Sequence, residues 1–146
     1  MDNYVFVCIG TSKLIADSLG PRVGEKLEEY FKGNPRVQVF GTMKNPVHFK
    51  NANIVLKKLE NTKKNIILVD SALALAAPIG NTYIGRGGIE IGKAYGKSFY
   101  FPGNVNFKTV IENQKEKVNW SIEQIELLAQ KVTSRIEEVV KTCYIM

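Results

Sequence analysis

The sequence predicts an α/β fold: a three-layer αβα sandwich around a small, mostly parallel mixed sheet. Three observations carry this. Short apolar runs, Tyr4–Ile9 and Ile66–Val69, read as strands of a sheet covered on both faces. Stretches with apolar residues at helical spacing alternate with them in the order β-α-β-α-β, which implies right-handed crossovers and parallel neighbours. A long amphipathic helix closes the chain.

Each element has its own signal. Tyr4-Val-Phe-Val-Cys-Ile9 is too apolar for a surface strand and ends at Gly10. Asp17 or Ser18 is placed to cap the first helix, with Pro21 tolerated in its first turn. Leu19, Val23, Leu27, Tyr30 and Phe31 form the inner stripe of that helix, and Gly33-Asn34-Pro35 stops it. A short strand, Val37–Phe40, and a helix built on Ala52, Val55, Leu56 and Leu59 follow. Asn65-Ile-Ile-Leu-Val-Asp70 is the clearest strand, four apolar residues closed by a carboxylate. From Ala77 to Gly103 glycines and aromatics dominate, and short strands near 82–84 and 99–101 read as antiparallel additions. A shorter helix is expected around Phe107 to Gln114. Ser121 and Gln124 form a capping box for the last helix, whose stripe is Ile122, Ile125, Leu128, Val132, Ile136 and Val139.

Composition narrows the class. At 146 residues, 45% hydrophobic and 23% charged, the chain is expected to form one domain over residues 1–146 rather than a disordered or fibrous segment. It has no apolar run of 18 residues and no basic, cleavable leader at its start, so no membrane association is expected. Cys8 and Cys143 show neither CxxC nor metal-site spacing, which suits a reducing cytoplasm.

The net charge of +6 is concentrated. Lys32, Arg36, Lys44, Lys50, Lys57, Lys58, Lys63 and Lys64 face only Glu60, so residues 32–64 carry +7 and the remainder −1. Such a stretch can steer an acidic partner. Sixteen of the twenty basic residues are lysines and four are arginines, which argues against specific nucleic-acid recognition.

Ligands of open α/β sheets gather beyond the carboxyl ends of the strands. Asp17, after the first strand, and Asp70, at the end of the third, are the acids placed there. If those strands are neighbours, both carboxylates share a crevice and one is driven to hold a proton. One then polarises water while the other donates a proton. Each acid also has a plain structural role open to it: Asp17 as a helix cap, Asp70 as a solvated strand end. The pair with His48 could instead hold a divalent metal, although a loop histidine more often serves a turn. Ser71 has no base placed to activate it, so a serine hydrolase is rejected. Gly10-Thr-Ser-Lys-Leu-Ile-Ala16 is neither GxGxxG nor a P-loop.

Ile9-Gly-Thr11, Ala16-Asp-Ser-Leu-Gly-Pro21, Phe40-Gly-Thr42, Asn45-Pro-Val-His48 and Ile67-Leu-Val-Asp-Ser-Ala72 occur in this order and spacing. Together they resemble the YyaC-type sporulation proteins, relatives of the spore germination protease, with a fold similar to hydrogenase maturation endopeptidases. The resemblance runs from about Val5 to Gly103. It implies that Asp17 and Asp70 stand where the germination protease has its two essential acids. It also implies that Thr11, Ser12, His48 and Ser71 line the site. In the hydrogenase-processing relatives the matching acids bind nickel with a later histidine, and this chain has none after His48. Ser71 replaces the cysteine common in the family, and Ile15-Ala16 replaces the usual Thr-Gly. The resulting expectation is a cytoplasmic, sporulation-associated peptidase of a spore-forming bacterium, using an aspartate pair without metal or cofactor. Its substrates would be proteins or peptides, including acidic spore proteins. The alternative is an inactive binding or regulatory protein on the same scaffold.

Overall fold

The computed structural model describes residues 3–60, 62, 64–92, 96 and 98–144, with side chains through Thr142; Lys63 and the side chain of Cys143 lie outside it. Its elements are β1 (Tyr4–Cys8), a 3-10 turn (Ala16–Ser18), α1 (Leu19–Tyr30), β2 (Val37–Phe40), α2 (Ala52–Leu59) and β3 (Asn65–Ala74). Then follow β4 (Thr82–Arg86), β5 (Ile89–Ile91), β6 (Phe99–Phe101), β7 (Val105–Asn113) and α3 (Ile122–Tyr144). The central sheet has the order β2-β1-β3-β7-β4. Its first four strands are parallel and β4 is antiparallel at one edge. This is the mixed α/β fold with a mostly parallel central sheet that the apolar runs predict.

Alternation along β1 explains the layers. Tyr4, Phe6 and Cys8 point to one face, where α1 and α3 cover them with Leu19, Val23, Leu27, Ile125, Val132 and Ile136. Val5, Val7 and Ile9 point to the other, against Val55 and Leu59 of α2 and Ile89, Ile91 and Phe101. The second layer is therefore part helix and part ribbon, because β5 and β6 pair only with each other among the described residues. The strand near 82–84 does join the sheet, as β4, whereas that near 99–101 does not.

Two sequence expectations are corrected. Residues 107–114 are not a helix; they belong to β7, which lies between β3 and β4. Its register with β3 shifts between Ala72 and Leu73, where the pairing jumps from Val110 to Glu112 and leaves Ile111 as an extra, bulged residue. The Trp120 indole N–H donates to the Ile111 carbonyl at 2.9 Å. Neither Asp17 nor Ser18 caps α1 with its side chain. Ser18 Oγ donates to the Ile15 carbonyl at 2.6 Å and accepts from Arg22 Nε at 2.8 Å, which occupies it within the turn. The Ser121–Gln124 box is present, with reciprocal bonds of 2.9 and 3.1 Å.

Two glycines bring the layers close. A Cβ on Gly20 would run into the Ile9 carbonyl, so α1 rests directly on the end of β1. Gly41 has φ +96° and sits against the Cys8 carbonyl, a position closed to other residues by both conformation and space.

Candidate active site

The path of the chain creates the site. From β1 it moves one way through α1 to β2, then returns through α2 to β3, on β1's other side. β1 and β3 thus diverge at their carboxyl ends, the switch point where open α/β sheets bind ligands. β1 stops at Cys8, whose register partner is Val69, while β3 continues to Ala74. Asp70 is the first β3 residue beyond the shared register, and the 3-10 turn that leads into α1 carries Asp17 into the same crevice.

Both acids are half-buried and both are driven towards the protonated form. Asp70 is pushed up to about 8, first by burial and then by the negative charge of Asp17; the Ser71 backbone N–H and the charge of Lys108 oppose this. Asp17 is raised by burial, against the Ser71 hydroxyl and the Thr11 backbone N–H. Ser71 joins the acids: its hydroxyl donates to the Asp17 carboxylate, and its N–H donates to Asp70 Oδ1 at 2.8 Å. At neutral pH Asp70 holds a proton beside the Asp17 carboxylate, a proton donor next to a base.

The other sequence candidates are placed as follows. Thr11 is at the crevice, with its N–H bonded to the Asp17 carbonyl at 2.9 Å and its Oγ1 accepting from the Lys13 N–H at 3.2 Å. Ser12 is exposed on the adjoining loop and bonds neither carboxylate. His48 belongs to the loop whose Val47 bridges Ile9, on the β2 side of β1. Its Nδ1 accepts the Lys50 N–H at 3.2 Å, the turn role open to it from the start. Lys108, the β7 register partner of Asp70, is a site residue that the sequence reading missed. The burial pattern of a bulged strand hid it. A groove of about 400 Å³ lies elsewhere, between β2 and α2, lined by Phe40, Thr42, Pro46, Ile54 and Lys58 among others. It contains neither acid. Cys8 is buried in the core, which pushes its thiol upward and leaves it inert.

Residues 1–142 match the model of a family described as "Protein of unknown function (DUF1256)". Over 109 residues the sequence is 33% identical to the uncharacterized protein YyaC of Bacillus subtilis (strain 168), covering 73% of this chain and 52% of that protein. The chain thus spans about half the length of the curated relative it matches. Two solved structures share the fold. The [NiFe] hydrogenase maturation protease HycI from Thermococcus kodakarensis KOD1 aligns with a TM-score of 0.59 at 17% identity, over 95% of this chain and 92% of that one. HybD from Thermococcus kodakarensis, also a [NiFe] hydrogenase maturation protease, aligns at 0.52 and 13%, over 94% and 98%.

The nickel site that the sequence resemblance brings up has no matching donor set here. Among the described residues no three of His, Cys, Asp and Glu converge, and His48 is engaged in its own turn. Two hard carboxylates and hydroxyls lack the imidazole or thiolate donors that such a metal favours.

Proposed function

The chain belongs to the DUF1256 family, and on that scaffold we propose a sporulation-associated peptidase that cuts peptide bonds with the Asp17–Asp70 pair. The observation that carries this reading is the placement of both acids in one crevice, where burial first and the negative charge of Asp17 second push Asp70 up to about 8. Asp17 takes a proton from water as its oxygen attacks the peptide carbonyl, and Asp70 gives its proton to the carbonyl oxygen. Collapse of the tetrahedral intermediate breaks the C–N bond, with a proton passing to the leaving amine. Ser71 orients Asp17, Lys108 moderates the charge on Asp70, and Thr11 and Ser12 border the crevice, while His48 stays in its own turn on the β2 side of β1. The relation to the germination protease and the setting, the cytoplasm of a sporulating cell or spore, rest on the motif resemblance. Acidic spore proteins suit a chain with a net charge of +6.

The experiment is hydrolysis of a peptide panel that includes acidic spore-protein sequences. Asp17→Asn and Asp70→Asn should each lower the rate by about 10²–10⁴-fold. A wild-type protein that cleaves nothing, or variants that cleave equally well, would remove the peptidase reading. The second reading is a non-catalytic binding protein. It is favoured by the position of the roomy groove at β2 and α2, away from the acids.

A further inference from the structure

Beyond Val69, β3 has a strand on only one side. β7 pairs with residues 70–74, while the opposite edge, which β1 fills as far as Cys8, has no described strand. The backbone phase can be read from three bonds. The Val69 carbonyl accepts the Ile9 N–H at 2.7 Å, so residue 69 faces β1. The Ala74 carbonyl accepts the Gln114 N–H at 3.2 Å, so residue 74 faces β7. Alternation then points Ser71 and Leu73 at the open edge. The Ser71 N–H is taken by Asp70 Oδ1, which places that carboxylate on the open side too. By this phase the Ser71 carbonyl and the Leu73 N–H and carbonyl point to the edge that no described strand fills.

The surroundings are apolar. Leu73 is 66% exposed, on the α1 and α3 face by alternation from Val69, and Leu75, just beyond the end of β3, is 71% exposed. Leu14 and Ile15, on the loop that carries the chain away from β1, are also exposed. A row of main-chain donors and acceptors flanked by bare leucines matches one class of partner, an extended polypeptide. Lys13, exposed on the same loop, and the net charge of +6 favour acidic residues between its apolar ones.

We propose that an extended acidic–apolar peptide segment adds as a strand along the free edge of β3 from Ser71 to Leu73. This is continuous with the Asp17–Asp70 crevice, so the same segment would carry its scissile bond to the acids. The proposal deepens the peptidase reading and rests on it for that last step alone.

The probe is a fluorescein-labelled, acetylated octapeptide alternating leucine and glutamate, followed by anisotropy with the full chain. Two partners of the probe carry N-methyl groups on alternate amides, one in each phase. The unmodified peptide should bind, and methylation in one phase should weaken it at least tenfold while the other phase is tolerated, because only alternate amides face β3. Leu73→Pro should weaken binding equally. It removes an N–H that points away from β7, so the ladder to β7 survives. If that variant misfolds, hydrogen exchange at the wild-type Leu73 amide, slowed by peptide, gives the same answer. Asp70→Asn should retain binding, which separates docking from catalysis: binding without cleavage sinks only the peptidase reading. Equal tolerance of both methylation phases, unchanged exchange at Leu73, or an edge occupied by a second copy of the chain at micromolar concentration would overturn the docking site.

Discussion

Asp17 and Asp70 are tied together by Ser71, whose hydroxyl serves the first acid and whose backbone N–H serves the second at 2.8 Å. The tie exists because β3 outruns β1 and because Gly20 lets α1 settle onto the end of β1. The consequence is that burial and the charge of Asp17 together hold Asp70 towards its protonated form.

Stability should report that charge. Asp70 ionises near 3.8 when unfolded and at about 8 when folded, so between those values the native state holds the extra proton. Stability from this group is greatest below about pH 4, falls as pH rises through the window and is lost above about 8. Other carboxylates, such as Glu126 held low by Arg22, act in the opposite sense at acid pH. The difference between the wild type and Asp70→Asn isolates the effect. The variant should gain about 4–5 kcal/mol at pH 8 relative to pH 4, since each pKa unit is worth about 1.4 kcal/mol, and more than about 10 °C in Tm. A constant difference across the range, measured by thermal melts, would show that Asp70 is not perturbed.

Lys108 is exposed, and its charge lowers Asp70 across the β3–β7 register. Lys108→Gln should move the Asp70 titration further upward, followed by the carboxyl carbon in NMR. Solvent screening keeps this effect small, with global stability changed by less than about 0.5 kcal/mol. A downward shift would contradict the geometry.

Gly20→Ala tests the seating of α1. In an ordinary helix this exchange stabilises by about 1 kcal/mol. Here the added Cβ meets the Ile9 carbonyl, so the sign reverses and a loss of about 2–4 kcal/mol is expected. Denaturant titration reads it directly. A stabilised variant would mean that α1 and β1 are not in contact.

The basic residues between 32 and 64 that the structure describes are mostly exposed and mostly lysine. DNA binding should therefore be weak, independent of sequence and gone by about physiological salt. Sequence-discriminating binding in a mobility-shift titration would assign that surface a second role.

The sequence alone determined the layers. Apolar runs such as Tyr4–Ile9 and Ile66–Val69 have one favourable solution, burial on both faces, and the stripes of α1, α2 and α3 supply the cover. It also put Asp17 beyond the first strand, but it ended the third strand at Asp70, whereas β3 runs on to Ala74 because its pairing with β7 continues there. Only the tertiary structure decided where the last strand and its lysine went. The bulge at Ile111 interrupts the two-residue alternation of β7 and leaves Phe107, Val110 and Ile111 buried at what looks like helical spacing. A pattern of period two cannot be read through an extra residue. The pairing that inserts β7 beside β3, and so sets Lys108 next to Asp70, depends on contacts between distant segments. The meeting of the two acids has the same origin: a half-buried carboxylate is ordinary in isolation, and only the adjacency of β1 and β3 sets the charge of Asp17 against Asp70.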